Sequence, residues 1–362
     1  MDTKSPNSIG LDPTRLEKAG DLLVEEIEEG SISAASLTVA RHGFLALARG
    51  FGHEKPSSPE AVTGDSVFLL ASISKPISVC ALMLLLERGK VSLNDPVDTH
   101  LPEFEGEHKR DVLVRHLLSH TSGMPDMLPE NVELRKAHSP MSGFVEAALR
   151  TPLLFPPDTD FRYQSKGILL AGEIVERTTG RPLRDFLKSE LFDAAGMTST
   201  SLGLGGRAVD DTVWCGADAD DTRSGTDWGW NSEYWRDAGH PWGGVHSTGP
   251  DLARLLQVFL DHGRCKDGSL FSPHTIREMT RDQNQHLRAP WGLGWGLRDS
   301  LVWNFFGDIC SRNTFGHTGS TGTVAWADPV TGLSCVILAN DMVEEGRMLK
   351  RVSNVVASAV LE

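Results

Sequence analysis

The sequence predicts an α+β fold, in which an antiparallel sheet flanked by helices is built from both termini and a mainly helical lobe is inserted between them. Near the start, 34–40 and 44–48 alternate in polarity around Arg41-His42-Gly43, as the strands of a β-hairpin do. Near the end, short segments have strand composition, and 328–332 reads as a hairpin turn. Those strands are predicted at 295–297, 314–317, 323–327 and 334–340.

Apolar residues at helical spacing predict the helices, and Gly30 is a stop signal after the first of them. The segment 198–245 is rich in Gly, Asp and Trp, and it is too long for a simple connector. We therefore expect a sheet lobe formed by 1–72 and 245–362, and a helical lobe with an irregular Trp-rich segment formed by 73–244. Besides the helix that follows Ser72, helices are predicted at 13–29, 112–119, 141–150, 167–178, 182–192, 251–262 and 344–360.

Composition narrows the classes of partner. A net charge of −14 argues against a nucleic-acid or anionic-membrane partner. The first residues contain no apolar signal segment, and no apolar run approaches membrane-spanning length. The five cysteines are widely spaced and odd in number, which favours reduced thiols. We expect a cytoplasmic protein.

The stretch most informative about chemistry is Ser-Ile-Ser-Lys at 72–75, which precedes the apolar run 79–86. Pro76 is tolerated only near the start of a helix, so Ser72 should lie at a helix N-terminus, where free N–H groups favour negative charge. Lys75 falls on the same face as Ser72. A serine N-cap with a solvated lysine is the simpler interpretation. However, the helix is apolar on all sides and hence buried, which favours a serine activated by a lysine.

Three further stretches could contribute to a site. Tyr163, one of only two tyrosines, lies just before a predicted helix, although it also fits a half-buried aromatic residue. The stretch 315–322 ends a strand in small residues that would let a ligand approach its backbone, or that form an ordinary turn. The stretch 243–248 precedes a helix and is best explained as an N-cap.

In this order and spacing, the motifs resemble the serine β-lactamase, penicillin-binding-protein and family VIII esterase superfamily, specifically its class C-like branch. Ser72 to Lys75 resembles the first motif, Tyr163-Gln164-Ser165 the second (usually Tyr-x-Asn), and His317-Thr318-Gly319 the third (Lys-Thr-Gly or His-x-Gly). The stretch 117–125 is similar to a further signature of the superfamily, and the resemblance covers about residues 10 to 345.

The resemblance implies that Ser72 attacks an acyl carbon and forms an acyl-enzyme. It implies that Lys75 and Tyr163 remove the serine proton and later activate water. Either a neutral lysine or a tyrosinate could be the base, because the groups titrate together. The N–H groups of Ser72 and Ser320 would form the oxyanion hole, in which one donor contributes about 3–4 kcal/mol to the transition state.

Two departures from the usual motifs bear on the substrate. Ser165 replaces an asparagine whose amide could orient a substrate amide, and His317 replaces a permanent cation that would bind a carboxylate. Both favour uncharged acyl substrates, with Ser165, His317, Gly319 and Trp242 as candidate binding residues. A Trp-rich cluster could wall an apolar acyl pocket or simply anchor a long loop. It comprises Trp228, Trp230, Tyr234, Trp235 and Trp242.

We therefore predict a serine hydrolase, most simply a carboxylesterase acting on short or medium acyl esters. The same machinery could serve a β-lactamase, a D-amino-acid peptidase or amidase, or an acyltransferase. A non-catalytic sensor that kept the fold is a more distant alternative. No zinc-binding His-Glu-x-x-His motif, Cys-x-x-Cys motif, nucleotide-binding glycine pattern or Gly-x-Ser-x-Gly elbow occurs, so no metal or cofactor is expected.

Overall fold

The structure is a computed structural model that describes residues 1–55, 59–216, 225–266, 268–302 and 304–361. Its main sheet has seven strands in the order β1-β3-β2-β12-β11-β10-β9. Strand β1 runs parallel to its neighbour, and the other pairs are antiparallel. These strands are β1 Asp2–Thr3, β2 Ala34–Arg41, β3 Phe44–Gly52, β9 Gly296–Leu297, β10 Phe315–Gly319, β11 Thr323–Asp328 and β12 Leu333–Ala339.

The pairing of β2 with β12 joins the two ends of the chain in one sheet, as predicted. Alternate residues of β12 enter two apolar cores, one on each face of the sheet. The helices α1 (Pro13–Glu28) and α13 (Arg347–Ser358) pack together on one face, and α11 (Gly249–Leu260) packs on the other. The predicted α+β class is confirmed, with a mostly antiparallel sheet between helices.

The remaining helices lie mainly between β3 and β9 in the chain. The helix α2 is buried over twelve of its residues, as its uniformly apolar sequence predicts, and it packs against α7. These helices are α2 Ser74–Glu87, α3 Val97–His100, α4 Val114–Leu118, α5 Asn131–Lys136, α6 Met141–Arg150, α7 Lys166–Thr179, α8 Leu183–Leu187, α9 Asp193–Ala195, α10 Glu233–Asp237 and α12 Pro273–Thr280. The lobe boundaries at residues 72 and 245 stay a prediction.

A small sheet connects the helical segments to the main sheet. It pairs β4 (Phe68–Leu69) with β6 (Val245–Ser247), and β6 with β5 (Ser201–Leu202). A separate two-stranded ribbon is formed by β7 (Arg264–Cys265) and β8 (Gly268–Ser269). Strands β1 and β5 are too short to leave a periodic signal, so sequence patterning did not predict them.

Two predicted helices have different boundaries in the structure. The prediction at 182–192 covers α8 and a π-helical turn at Lys188–Phe192 that leads into α9. The prediction at 344–360 was wrong at its start, because Glu345 has a φ of 53° and α13 begins only at Arg347.

Part of the irregular segment, 217–224, lies outside the described residues. Within the described residues, no helix combines the length and apolar character that crossing a membrane requires.

The segment that carries Ser72 is fastened to both sheets. The Leu70 N–H donates to the Val245 carbonyl at 2.9 Å. The hydroxyls of Thr321 and Thr323 donate to the carbonyls of Leu69 and Leu70, both at 2.9 Å. Because these bonds come from separate elements, segments of both sheets together fix the position of Ser72.

The Trp-rich segment is held by a buried arginine. The guanidinium of Arg236 is fully buried, and within the described part of the chain it forms no ion pair with a carboxylate. It instead donates to the carbonyls of Trp230 at 2.7 Å and Val213 at 3.0 Å, and to the Asn231 side chain at 2.7 Å. One side chain thus ties several turns of the segment together.

A side chain at Gly319 should push the Ser72 segment away from β10. A Cβ there would lie 2.1 Å from the Leu70 carbonyl oxygen and 2.2 Å from Thr323 Oγ1. We expect Gly319→Ala to lower the free energy of unfolding by about 1–3 kcal/mol in urea denaturation. Gly143→Ala, inside α6 with its nearest contact at 3.4 Å, is the control and should not destabilise the protein. Equal stability of the Gly319 variant and the wild type would show that the approach is not tight.

Replacing Arg236 by methionine should loosen the Trp-rich segment, because several buried acceptors would lose their donor. We expect a loss of about 2–4 kcal/mol in the free energy of unfolding, together with faster limited proteolysis within 198–245. Arg184→Met is the matched control, since Arg184 is 43% exposed and pairs with the exposed Asp237. That variant should lose less than about 1 kcal/mol. Similar losses in both variants would contradict the anchoring role of Arg236.

Candidate active site

Ser72 is presented by a tight connection between β4 and α2. It lies in a 3₁₀ turn, Ala71–Ile73, and not in the α-helix itself, which begins at Ser74. Ala71 has a φ of 48°, a left-handed conformation that is unfavourable for a residue with a Cβ. The hydroxyl of Ser74 accepts a hydrogen bond from the Val245 N–H at 2.9 Å, which fixes the start of α2. The backbone strain at Ala71 is therefore held next to the candidate nucleophile.

Lys75 extends from the first turn of α2 towards Ser72. Its Nζ lies 2.8 Å from Ser72 Oγ and 3.2 Å from the Trp242 carbonyl oxygen. The side chain is only 1% exposed. Burial lowers the pKa of the Lys75 amine to about 7, although the carboxylate of Asp126 opposes this shift. At neutral pH a substantial share of the amine is therefore uncharged and has a lone pair that can accept a proton.

Tyr163 reaches the same place from just before α7. Its hydroxyl forms a hydrogen bond with Ser72, and its ring centroid lies 4.7 Å from Lys75 Nζ. Burial raises the pKa of the Tyr163 phenol well above 10, with a smaller contribution from Asp126 in the same direction. The His120 ring, from the signature at 117–125, lies 4.7 Å away and supports the tyrosine from behind. The structure thus brings Ser72, Lys75 and Tyr163 together.

A cavity of about 320 Å³ opens at Ser72. Its wall combines aromatic side chains with a few polar and charged groups, which is the usual composition of a small-molecule site. The residues that line it are Ala71, Ser72, Asp126, Met127, Arg135, Tyr163, Ser165, Trp230, Trp235, His240, Trp242, Gly243, Thr318 and Ser320.

The predicted binding residues divide between the cavity wall and the layer behind it. Ser165, Trp242 and Ser320 line the cavity. His317 and Gly319 do not, because side chains alternate along β10 and it is Thr318 and Ser320 that face the cavity. Gly319 instead permits the close approach of the Ser72 segment.

His317 is a buried neutral imidazole. Its Nδ1–H donates to the Thr318 carbonyl at 2.7 Å, and its ring centroid lies 6.0 Å from that of Tyr163. Burial lowers the pKa of His317 to about 3, and the positive charge of Lys75 adds to the effect. No permanent cation therefore occupies this position of the third motif at neutral pH.

The predicted Trp-rich cluster divides between the cavity wall and the anchoring of the segment. Trp230, Trp235 and Trp242 line the cavity. Trp228 lies outside the lining and accepts a hydrogen bond from Arg135, while Tyr234 donates to the Ser139 carbonyl at 2.9 Å. The first three form an aromatic wall and the other two anchor the segment.

Several cavity residues carried no signal in the sequence. Asp126 follows the signature at 117–125 directly, so its position next to a motif was the only available clue. Arg135 and His240 reach the cavity through tertiary packing, which no local pattern reports. The His240 ring packs against the rings of Trp235 and Trp242 in tilted arrangements, at centroid distances of 4.2 and 4.8 Å.

A second buried lysine lies behind the wall. Lys166 is the first residue of α7, and its Nζ lies 3.7 Å from the centroid of the Trp242 ring. Its amine has no hydrogen-bond partner among the described residues, and burial lowers its pKa to about 7. Positive charge at Lys75 lowers it further, so the two amines disfavour each other's protonation.

The site also offers backbone donors. Within the described part of the chain, the N–H groups of Ser72 and Ser320 are not committed to other backbone carbonyls. Both residues line the cavity, where such donors could stabilise a developing oxyanion.

No group of three or more His, Cys, Asp or Glu side chains among the described residues is placed to hold a metal ion.

Comparisons with known proteins place the chain in a family. The Beta-lactamase family model matches residues 20–358. A Salmonella agona (strain SL483) protein named "Putative D-alanyl-D-alanine carboxypeptidase" is 27% identical, over 94% of this chain and 86% of its own length.

Solved structures share the fold. A penicillin-binding-protein homologue from Caulobacter crescentus superposes with a TM-score of 0.80 at 21% identity, covering 97% of this chain and 99% of its own. A family VIII carboxylesterase superposes with a TM-score of 0.75 at 20% identity, covering 94% and 96% respectively. With its serine, lysine and tyrosine in mutual contact, the chain belongs to the Beta-lactamase family and is a serine hydrolase of that class.

Proposed function

We propose that the protein is a carboxylesterase that hydrolyses short or medium acyl esters through an acyl-enzyme on Ser72. The observation that carries the proposal is the 2.8 Å contact between Ser72 Oγ and the buried amine of Lys75, at the mouth of an aromatic cavity. A serine hydroxyl is a weak nucleophile until a neighbouring base accepts its proton. A lysine that is uncharged at neutral pH is such a base.

In the acylation step, Ser72 Oγ attacks the carbonyl carbon of the ester while its proton moves to Lys75 Nζ. The carbonyl oxygen becomes an oxyanion, which the N–H groups of Ser72 and Ser320 stabilise. When the tetrahedral intermediate collapses, the bond to the leaving oxygen breaks. That oxygen takes a proton from the Lys75 ammonium through the Tyr163 hydroxyl. The products are the acyl-enzyme and the free alcohol.

Burial favours Lys75 as the base over the alternative that the sequence left open, a tyrosinate at Tyr163. It disfavours the charged form of both groups, which leaves Lys75 partly neutral but keeps the Tyr163 phenol protonated. Lys75 is therefore the base in our account, and Tyr163 transfers protons as a neutral phenol. In deacylation, water donates a proton to the same pair while its oxygen attacks the acyl carbon. The bond from that carbon to Ser72 Oγ then breaks, Ser72 recovers its proton from the pair, and the carboxylic acid leaves.

The choice of an ester without a carboxylate group rests on the residues that occupy the second and third motifs. His317 is neutral and lies behind the wall, so it offers no cation for a substrate carboxylate. Ser165 donates its hydroxyl hydrogen to Asp126 Oδ1 at 2.7 Å, where an asparagine would present an amide to the substrate. The aromatic wall offers apolar area for an acyl chain.

Amide hydrolysis is a second candidate, supported by the Salmonella agona relative whose name describes a carboxypeptidase. The same acyl-enzyme would form, but the leaving nitrogen must be protonated before the bond breaks. An alcohol in place of water would give acyl transfer. These reactions differ in the leaving group or the second nucleophile, so substrate assays separate them.

The decisive assay compares p-nitrophenyl esters of two to eight acyl carbons with a chromogenic cephalosporin and a D-alanyl-D-alanine peptide. We expect the esters to give the highest kcat/KM, and Ser72→Ala to lower it by a factor of about 10³ or more. Mass spectrometry of the wild type should show an acyl adduct on Ser72. Ser142→Ala, an exposed serine on α6, is the control and should retain activity.

Faster turnover of the cephalosporin or the peptide than of any ester would overturn the substrate assignment. Full ester turnover by the Ser72 variant would overturn the mechanism. The absence of both turnover and an adduct would favour the non-catalytic sensor.

A further inference from the structure

The cavity contains an exposed carboxylate that the hydrolytic steps do not use. Asp126 follows the signature at 117–125 and lines the cavity together with Ser72. Its Oδ1 accepts the hydrogen bond from Ser165. Its Oδ2 has no hydrogen bond or ion pair with any residue in the described part of the chain. One carboxylate oxygen is therefore held in place while the other remains open to a ligand.

The field of Asp126 reaches the reacting groups. Its negative charge raises the pKa of both Lys75 and Tyr163, and it also raises that of Lys166. Because Asp126 and Ser72 line the same cavity, a substrate bound at Ser72 can contact the carboxylate. A group that neutralises it would in turn affect Lys75.

The other titratable groups around the cavity are buried, unlike Asp126. Arg135 lines it, but the guanidinium is 1% exposed, lies 3.6 Å from the centroid of the Trp235 ring and donates to the Trp228 carbonyl at 2.7 Å. Lys75 and Lys166 are buried amines with lowered pKa values, and His240 is an imidazole whose pKa burial lowers well below 6.5. Among the described lining residues, Asp126 is the only acidic one.

We propose that Asp126 determines substrate specificity by binding a cationic group, a protonated or quaternary amine, in the part of the ester that occupies the cavity. This inference rests on the proposed function and names its substrate class. A carboxylate beside aromatic faces is a favourable environment for an ammonium group, because the ring quadrupoles add to the charge attraction. Trp230, Trp242 and Tyr163 line the same cavity as Asp126.

Binding of the cation also affects the base. Asp126 favours the protonated form of Lys75, and a bound ammonium group offsets that influence. The Lys75 amine then loses its proton more easily in the complex than in the free enzyme. A cationic substrate would therefore help to generate the neutral Lys75 amine that accepts the Ser72 proton, whereas a neutral substrate of the same shape would not.

The test uses p-nitrophenyl esters of one acyl length whose tails end in trimethylammonium, tert-butyl or carboxylate. Choline butyrate and 3,3-dimethylbutyl butyrate form a second matched pair with the charge on the alcohol side. We expect the cationic member of at least one pair to exceed its neutral isostere on the order of tenfold in kcat/KM. The carboxylate ester should be the poorest substrate.

Asp126→Asn keeps the size of the side chain and should remove the preference for the cationic ester over the neutral ester. With that neutral ester, the fall in kcat/KM at low pH should move to lower pH, because the Lys75 ammonium loses a stabilising charge. Glu130→Gln is the matched control, since this exposed acid lies nearby but outside the lining, and it should retain the preference.

The outcomes separate this inference from the proposed function. Hydrolysis of neutral esters without a preference for the cation, or a preference for the carboxylate ester, would overturn the role of Asp126 but leave the esterase standing. An equal loss with all three tails in Asp126→Asn would show a merely structural role and would also overturn it. Failure of every ester would overturn the esterase itself.

Discussion

The chemistry of the site depends on the burial of one amine. Lys75 begins a helix that is buried on every side, so its Nζ is removed from water at the point where it meets Ser72. A lysine in water stays protonated far above neutral pH and cannot accept a serine proton. Desolvation inverts this by disfavouring the ammonium form, and it also keeps the Tyr163 phenol neutral. The same apolar surroundings that stabilise the helical core thus set the protonation of the reacting groups.

The sheet contributes by holding these groups in register. The Ser72 segment is fixed to β6 by backbone hydrogen bonding, and to the β10–β11 connection and the start of β11 by two threonine hydroxyls. Gly319 lets the end of β10 come close to this segment, and the Trp242 carbonyl accepts a hydrogen bond from Lys75. Segments from distant parts of the chain therefore hold a site whose nucleophile and base are three residues apart at the start of α2.

Much of this organisation could be predicted from the sequence, for identifiable reasons. The all-apolar run after Pro76 predicted a buried helix, and the alternation around His42 predicted the hairpin, since both signals are local. The motifs predicted that Ser72, Lys75 and Tyr163 belong together. Arg236, Arg135 and His240 could not be predicted, because their roles arise from packing between distant segments. His317 was expected in the binding site but lies behind its wall. The small residues around it leave open which alternate side chains of this stretch face the cavity, and only the strand register decides between them.

The central claim is that Lys75 is substantially uncharged at neutral pH. Heteronuclear NMR of protein labelled with ¹³C,¹⁵N-lysine measures this directly, with the Lys75 and Lys166 signals assigned by their loss in the corresponding Lys→Arg variants. Our account predicts that the Lys75 side-chain shifts titrate with a pKa of about 7, while exposed lysines titrate near the ordinary value of about 10.4. A Lys75 signal that remains that of an ammonium group up to pH 9 or above would contradict the account.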